Sequence, residues 1–412
     1  MRISRNIYTL TLRICRASFK QLPMALPKFL STPRAAIMIV FAAFGAYVGI
    51  FAGAIPVLMR QTGITSEQLG LALSGLTIAT VLVMSFGGVI ARRFTHRRVL
   101  LIALPLGCVT LTIVMTQTSA PLFFTVLIIH GGILGIIDII MNAEGSAIEH
   151  DMKRPVFTAF HGSVSASVAV CSIASSLLTA RYGTMTATAF AIVLVAFAWF
   201  LVWRNVPARI YPTMEHNSNA RVASLPLVLM GVAAGLVIAS ETSAMFWSAK
   251  MLDDSAPKLA AISGLGAAFF GFCTAIVRFP GDALRARFGD FRLMLTSLVI
   301  AILGFLGLGF SPSFGFSVAA FALVGFGTSI VCPCIFNMAT AHVPGNRAAG
   351  LSFASMVAGV PRIVAPYLFG WVSGTYSIST AFGLCAAMMV AALFFVSALR
   401  KYQVPSVANS VA

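Results

Sequence analysis

Twelve long apolar runs dominate this chain, and a run of about 20 apolar residues suffices to cross the hydrocarbon core of a bilayer as a helix. They lie at 35–59, 69–90, 99–117, 121–143, 157–180, 184–203, 225–247, 260–280, 293–311, 314–339, 348–372 and 377–399. Lipid offers backbone amides and carbonyls no water, so a spanning segment must be a helix or belong to a closed barrel. Runs of this length without strict alternation exclude the barrel. Composition agrees. Only 9% of the 412 residues are charged and 59% are hydrophobic, whereas a soluble chain carries about 25% charged residues. The chain therefore reads as an all-α membrane protein.

Lys and Arg in the connecting segments set the orientation, because cytoplasmic loops carry the basic excess. With the N-terminus inside, 23 of the 28 basic residues fall on the inner side. Four (Arg60, Arg181, Lys250 and Lys258) fall outside, and Arg362 remains within a span. Both termini are expected to be cytoplasmic, in a cell inner (plasma) membrane. The net charge of +17 thus reports topology, and no nucleic-acid partner is expected. The expected organisation is a basic tail (1–34), a six-helix half (35–203), a cytoplasmic loop (204–224), a second six-helix half (225–399) and a C-tail (400–412). The tail holds seven basic residues and no acid. It reads as a cytoplasmic tail, with a transit-peptide likeness or a start at Met24 as alternatives. The cysteines, at 15, 108, 171, 273, 332, 334 and 385, are scattered. They indicate no disulfide framework and no metal site.

The two halves repeat. The segment Gly87 to Arg98 follows the second run, and Gly281 to Arg292 follows the eighth. At an offset of 194, Gly87, Arg93, Phe94 and Arg98 match Gly281, Arg287, Phe288 and Arg292. Asn142 and Asn337 match at 195. Parallel six-helix repeats place a substrate site between the halves near mid-membrane.

These loop segments resemble the signature of the major facilitator superfamily, a likeness that extends over residues 35–400. The resemblance implies twelve transmembrane helices in two pseudo-symmetric halves, and a cytoplasmic gate at Gly87, Arg93, Arg98, Gly281, Arg287 and Arg292. The acidic position of the signature is Ala91 in the first copy and Arg285 in the second, so only its basic and glycine parts carry over. Leu134 to Asn142, Phe160 to Ser165 and Ser240 to Ser248 are similar to the fucose–proton symporter branch and its bacterial relatives. That likeness implies sugar-like substrates and proton coupling.

Ionisable residues within spans cost about 2.5–3.5 kcal/mol on insertion scales and mark pathways by default. Asp138 lies deep in the fourth run and shares a helix face with Asn142. In a cavity that opens alternately to each side, such a carboxyl can load a proton and later release it. The plainer reading is an Asp held by hydrogen bonds between helices. Glu144, nearer the cytoplasmic end, reads as an interfacial acid pairing with loop bases. Glu241 in the seventh run falls opposite Tyr47 in the repeat, and the superfamily resemblance implies that spans one and seven line the central cavity, which makes both candidates for it. Its roles are substrate or proton binding, or an outer-gate pair. His161, Ser165 and Ser172 share a face of the fifth run; His130 has less support. Arg362 lies mid-way along the eleventh run between Pro361 and Pro366. It cannot shed its charge, so it pairs with Asp138 or Glu241 or binds an anionic substrate.

No GxSG-type serine, HExxH or P-loop occurs, so neither a membrane enzyme nor direct use of ATP is expected. No cofactor is expected either. The expected function is secondary transport of a small polar solute, sugar-like or an organic anion, coupled to protons, by a monomer in the bilayer. An efflux carrier and a non-transporting receptor of the same fold are the alternatives.

Overall fold

The computed structural model describes residues 27–86, 89–90, 93–209, 223–343 and 347–402. Among them twelve helices are long and apolar enough to cross a membrane. They are Pro33–Thr62, Ser66–Ser85, His96–Thr116, Ala120–Met152, Phe157–Tyr182, Thr184–Asn205, Leu225–Ser255, Pro257–Arg278, Asp290–Gly309, Phe314–Ala341, Ala349–Thr375 and Ile378–Tyr402. We number these spans one to twelve. The face at which span one starts is termed the tail face, and the face at which it ends the far face. Described residues form helices, turns and connections and no strands.

Helix ends are set by local chemistry. Thr32, Thr65, Thr95, Ser313 and Ser377 accept backbone N–H bonds at the starts of spans one, two, three, ten and twelve. At Thr65 the bond is reciprocated by Gln68. Span four overshoots its apolar run by about two turns. The reason is Glu149, whose carboxylate accepts the Val156 and Phe157 amides at 2.8 and 2.7 Å. One helix's overhang thereby satisfies orphan donors at the start of the next. Span ten is interrupted at Ser329–Ile330, between helices Phe314–Thr328 and Val331–Ala341.

The halves repeat at the level of single contacts. In the first, Thr80 donates to the carbonyls of Leu76 and Gly131, both at 2.9 Å. In the second, Thr274 donates to those of Phe270 at 2.8 Å and Gly325 at 3.2 Å. All three positions are related by the offset of 194. A Cβ on Gly131 would collide with the Leu76 backbone, and one on Gly325 with that of Phe270. Small residues let helix backbones approach in lipid, where no hydrophobic force drives helices together. Span one likewise lays Gly45, Gly49 and Gly53 along span five.

Between the halves, span two packs on span eleven, span five on span eight, and span one on span seven. Toward the far face the closure is dense. Arg60 pairs with Asp253 at 2.5 Å. Phe51 meets Phe246 edge-on and Gly70 lies against Gly370, while within the second half Trp247 packs on Phe369. At the tail face spans four and ten pack within their own halves, with no substantial contact between them among the described residues.

The equivalence of the two glycines is testable. Gly131→Leu and Gly325→Leu should each destabilise the detergent-purified protein by about 1–3 kcal/mol, the usual range for overpacking. Thermal unfolding measures this, and tolerance of one substitution but not the other would argue against matching roles.

Candidate substrate and ion site

The polar residues of mid-span join into one chain across the halves. In span four, Asn142 Nδ2 donates to the Asp138 carboxylate and carbonyl, both at 2.8 Å. Helical i, i+4 spacing makes this reach possible. With its amide N–H groups turned to Asp138, Asn142 offers Oδ1 to His161 Nε2 at 3.1 Å. An amide oxygen only accepts, so His161 carries its proton on Nε2 here. The imidazole is fixed edge-on to Phe41 and Phe157.

One turn along span five, Ser165 donates to the His161 carbonyl and accepts from Arg278 Nη1 at 3.1 Å. Arg278 is the last residue of the span-eight helix. Its Nη2 donates to Glu241 of span seven at 3.3 Å, and its Nε to the Ser329 carbonyl of span ten at 3.1 Å. That carbonyl is available because the residue four positions on is Pro333, which has no N–H to offer it. The break in span ten therefore supplies an acceptor that the guanidinium fills, as buried non-helical backbone requires.

Arg362 stands apart. It is half-buried in span eleven and has no hydrogen-bond or ion-pair partner among the described residues. It lies within electrostatic reach of Asp138 and of Cys332, a buried thiol also reached by Glu241 and Arg278. The site thus holds two acids and two arginines. Glu241 and Arg278 are directly paired, and Asp138 and Arg362 are neighbours without a direct bond. The expected pairing of Arg362 with Glu241 is not formed, because Arg278 takes that carboxylate. Basic-residue counting places Arg278 in the inner turn, whereas the structure places it in the site. Its position two residues inside the eighth apolar run is the sequence signal that it belongs there.

Several expected site residues lie elsewhere. Tyr47 is fully buried in its own half and donates to the Leu104 carbonyl. Its ring occupies the space left by Gly107 and meets His130 edge-on. His130 in turn bonds Thr110 at 2.8 Å. Ser172 donates to the Gly264 carbonyl, a link between spans five and eight toward the far face. Glu144 is buried and one of its partners is His96, an imidazole at the start of span three, at 2.7 Å. Asn337 is exposed and donates to Asp290 at 2.6 Å, away from the central chain.

That Asp290 belongs to a tail-face network. Arg285, on the short helix Gly281–Phe288, bonds both Asp290 oxygens at 2.8 and 3.4 Å and Asp282 at 3.2 Å. Thr158 of span five donates to Asp282 across the halves at 2.8 Å, and Gly281 lets the two segments touch. Burial opposes the Arg285 charge, but the bonds and attraction from Asp290 outweigh it and raise its pKa above the ordinary arginine value. The network is accordingly one of fixed charges, joined to the first half by the Thr158 bond. Arg93, Arg98, Arg287 and Arg292 are exposed at this face, and Gly87 lies outside the described residues.

A family-level match to the Major Facilitator Superfamily covers residues 35–252 and again 230–411, once for each half. The chain belongs to this superfamily. Among superfamily relatives, an uncharacterized MFS-type transporter of Yersinia pestis is 25% identical over 84% of this chain and 90% of its own length. The transporter y4wD of Sinorhizobium fredii is 26% identical over 87% and 97%. The membrane protein MosC of Rhizobium meliloti is 22% identical over 82% and 83%. Among solved structures, the nucleoside transporter NupG, in a mutant form, superposes with a TM-score of 0.71 at 15% identity, over 89% of this chain and 100% of that one. A D-xylose–proton symporter gives 0.69 at 12%, over 88% and 96%. At these identities the superpositions establish the major facilitator fold.

The placement of Tyr47 predicts a structural phenotype. Tyr47→Phe should cost about 0.5–1.5 kcal/mol, the worth of one hydrogen bond. Ligand preference should stay as in the parent protein. A stability assay and a ligand screen on the same preparation check both, and altered preference would return Tyr47 to the site.

Proposed function

We propose that this superfamily member is a secondary active carrier of a small polar solute bearing an anionic group, coupled to protons by alternating access. One observation carries the reading. Arg362 is a permanent cation in mid-span with no direct partner among the described residues, within electrostatic reach of Asp138, whose carboxylate accepts from Asn142. An unpaired charge at that depth is costly, so the local charge must balance in any state that crosses. With the site empty, Asp138 and Arg362 balance each other. When Asp138 takes a proton, Arg362 loses its counter-charge and a substrate anion restores it. When an anion binds first, protonation of Asp138 becomes favourable. Proton and anion thus favour each other's binding, which is thermodynamic coupling in the strict sense.

The polar stripe of Asn142, His161 and Ser165 suits hydroxyl or carbonyl groups on the rest of the solute. The likeness of the span-four and span-five motifs to the fucose–proton branch fits that part. So do the nucleoside and the xylose for which the two structural neighbours are named. The basic excess at the tail face argues that this face is cytoplasmic, which makes the described state one closed to the outside. The same argument supports a plasma-membrane carrier whose tail-face network lies on the cytoplasmic side.

Two experiments test this. In a thermal-shift screen of purified protein, organic acids or phosphate esters should stabilise more than neutral sugars. Arg362→Ala should weaken that binding about 10- to 100-fold, the worth of a charge-assisted hydrogen bond. Stabilisation by neutral sugars that survives Arg362→Ala would overturn the anionic assignment. In proteoliposomes, Asp138→Asn should retain exchange of labelled for unlabelled solute but lose accumulation driven by a pH gradient. Wild-type accumulation by that variant removes Asp138 as the coupling group.

A further inference from the structure

Arg278 touches three other spans, and only one of them belongs to the first half. Its Nε is anchored on the Ser329 carbonyl and its Nη2 on Glu241, both in the second half. Its Nη1 alone crosses to the first half, at Ser165. A guanidinium is planar, so fixing two of its nitrogens fixes the direction of the third. The Ser329 anchor is built into the fold, because Pro333 leaves that carbonyl without its helical donor. The Glu241 anchor is different in kind: it depends on the carboxylate being charged and in place. Both side chains are 15% exposed, so the pair is accessible enough to change. The other ionisable groups within electrostatic reach are His161 on span five, Cys332 on span ten and, through Cys332, Arg362 on span eleven.

We propose that Arg278 is a positioning residue that carries the state of Glu241 across to span five, so that Glu241 stabilises the present arrangement of the halves by aiming Arg278 at Ser165. Glu241 then acts through Arg278 and not by touching the solute. When the carboxylate is neutralised or drawn away, the guanidinium swings about its Ser329 anchor and the Ser165 bond is lost. The half-to-half contact weakens, and the population moves away from this state, since a ligand or group shifts an equilibrium only through interactions that differ between states. The inference deepens the carrier reading by naming what Glu241 does, and it stands on separate residues from Asp138 and Arg362.

The test needs neither solute nor proton gradient, so its failure is distinguishable from failure of the carrier reading. Nitroxide labels at Asp151→Cys and Ala341→Cys, on the tail-face ends of spans four and ten, report the separation of the halves by electron–electron double resonance. The full chain without the two new cysteines, labelled in parallel, gives the background. Ser165→Ala and Glu241→Gln should each move the ratio of long to short distances at least threefold toward short, and the double variant should move it no further. Arg278→Lys keeps the charge but not the fork, and should match them. If Glu241→Gln does not yield monodisperse protein, Glu241→Asp withdraws the carboxylate by one methylene and should shift the ratio in the same direction. A distribution unchanged by the Glu241 substitution, or additive shifts in the double variant, would overturn the proposal.

Discussion

The bilayer core contains no water, so each polar group placed there must find its partner within the protein. That constraint explains more of this structure than any single contact. It makes all twelve spans helical. It turns glycine into a packing device where backbones meet, because association in lipid rests on close fit. It also turns every irregularity into a polar group that something must satisfy. Pro333 releases one carbonyl in span ten, and that carbonyl fixes the position of Arg278. Ser74 shows the same logic between the halves. Its hydroxyl donates to the Ile363 carbonyl and accepts from the Tyr367 amide, the two groups of one helical turn in span eleven. The helix that carries Arg362 is thereby held from span two.

Two copies of one six-helix plan produce a site that is not symmetric. The Thr80 and Thr274 contacts are the same device used twice. The acid chemistry is not duplicated. Asp138 of span four falls opposite Cys332 in span ten, and Arg362 of span eleven has no counterpart in span five. The repeat supplies a common frame whose helices can rock against each other. In the proposed mechanism the differences between the copies supply the charges that give the rocking a direction. The tail-face network follows the same pattern. Where the superfamily signature has an acid, this chain has Arg285, and acids at Asp282 and Asp290 receive it. The position is inverted in sign and the ion pairing is kept.

Much of this is legible from residues alone, for physical reasons that also mark the limit. Span count follows from length and hydropathy, since the bilayer sets both. The Asp138–Asn142 bond follows from helical spacing. The assignments that go astray depend on which way a side chain turns, and no spacing within one helix reports that. Tyr47 matches Glu241 in the repeat, but its ring turns into the gap at Gly107. Asn337 matches Asn142, yet it reaches Asp290 beyond the central chain. Arg278 is hidden by the rule that reveals orientation, since counting bases between spans treats a base at a span's end as part of the loop.

Charge balance connects the site to the mechanism. The two acids and two arginines are neutral together, but they are held differently. Glu241 and Arg278 are bonded to each other, and Arg278 is bonded to backbone as well, which ties the pair to the frame. Asp138 is bonded only on the side facing Asn142 and His161, and Arg362 is not bonded at all among the described residues. A ligand can most readily alter the second pair, because no existing hydrogen bond to Arg362 has to be broken first. A neutral solute would leave the arginine's donors unsatisfied, at the cost that attends any buried unmade hydrogen bond. In the proposed mechanism an anion satisfies donors and charge at once, and a proton on Asp138 completes the balance. On the proposed mechanism the bonded pair orders the halves and the unbonded pair receives the cargo.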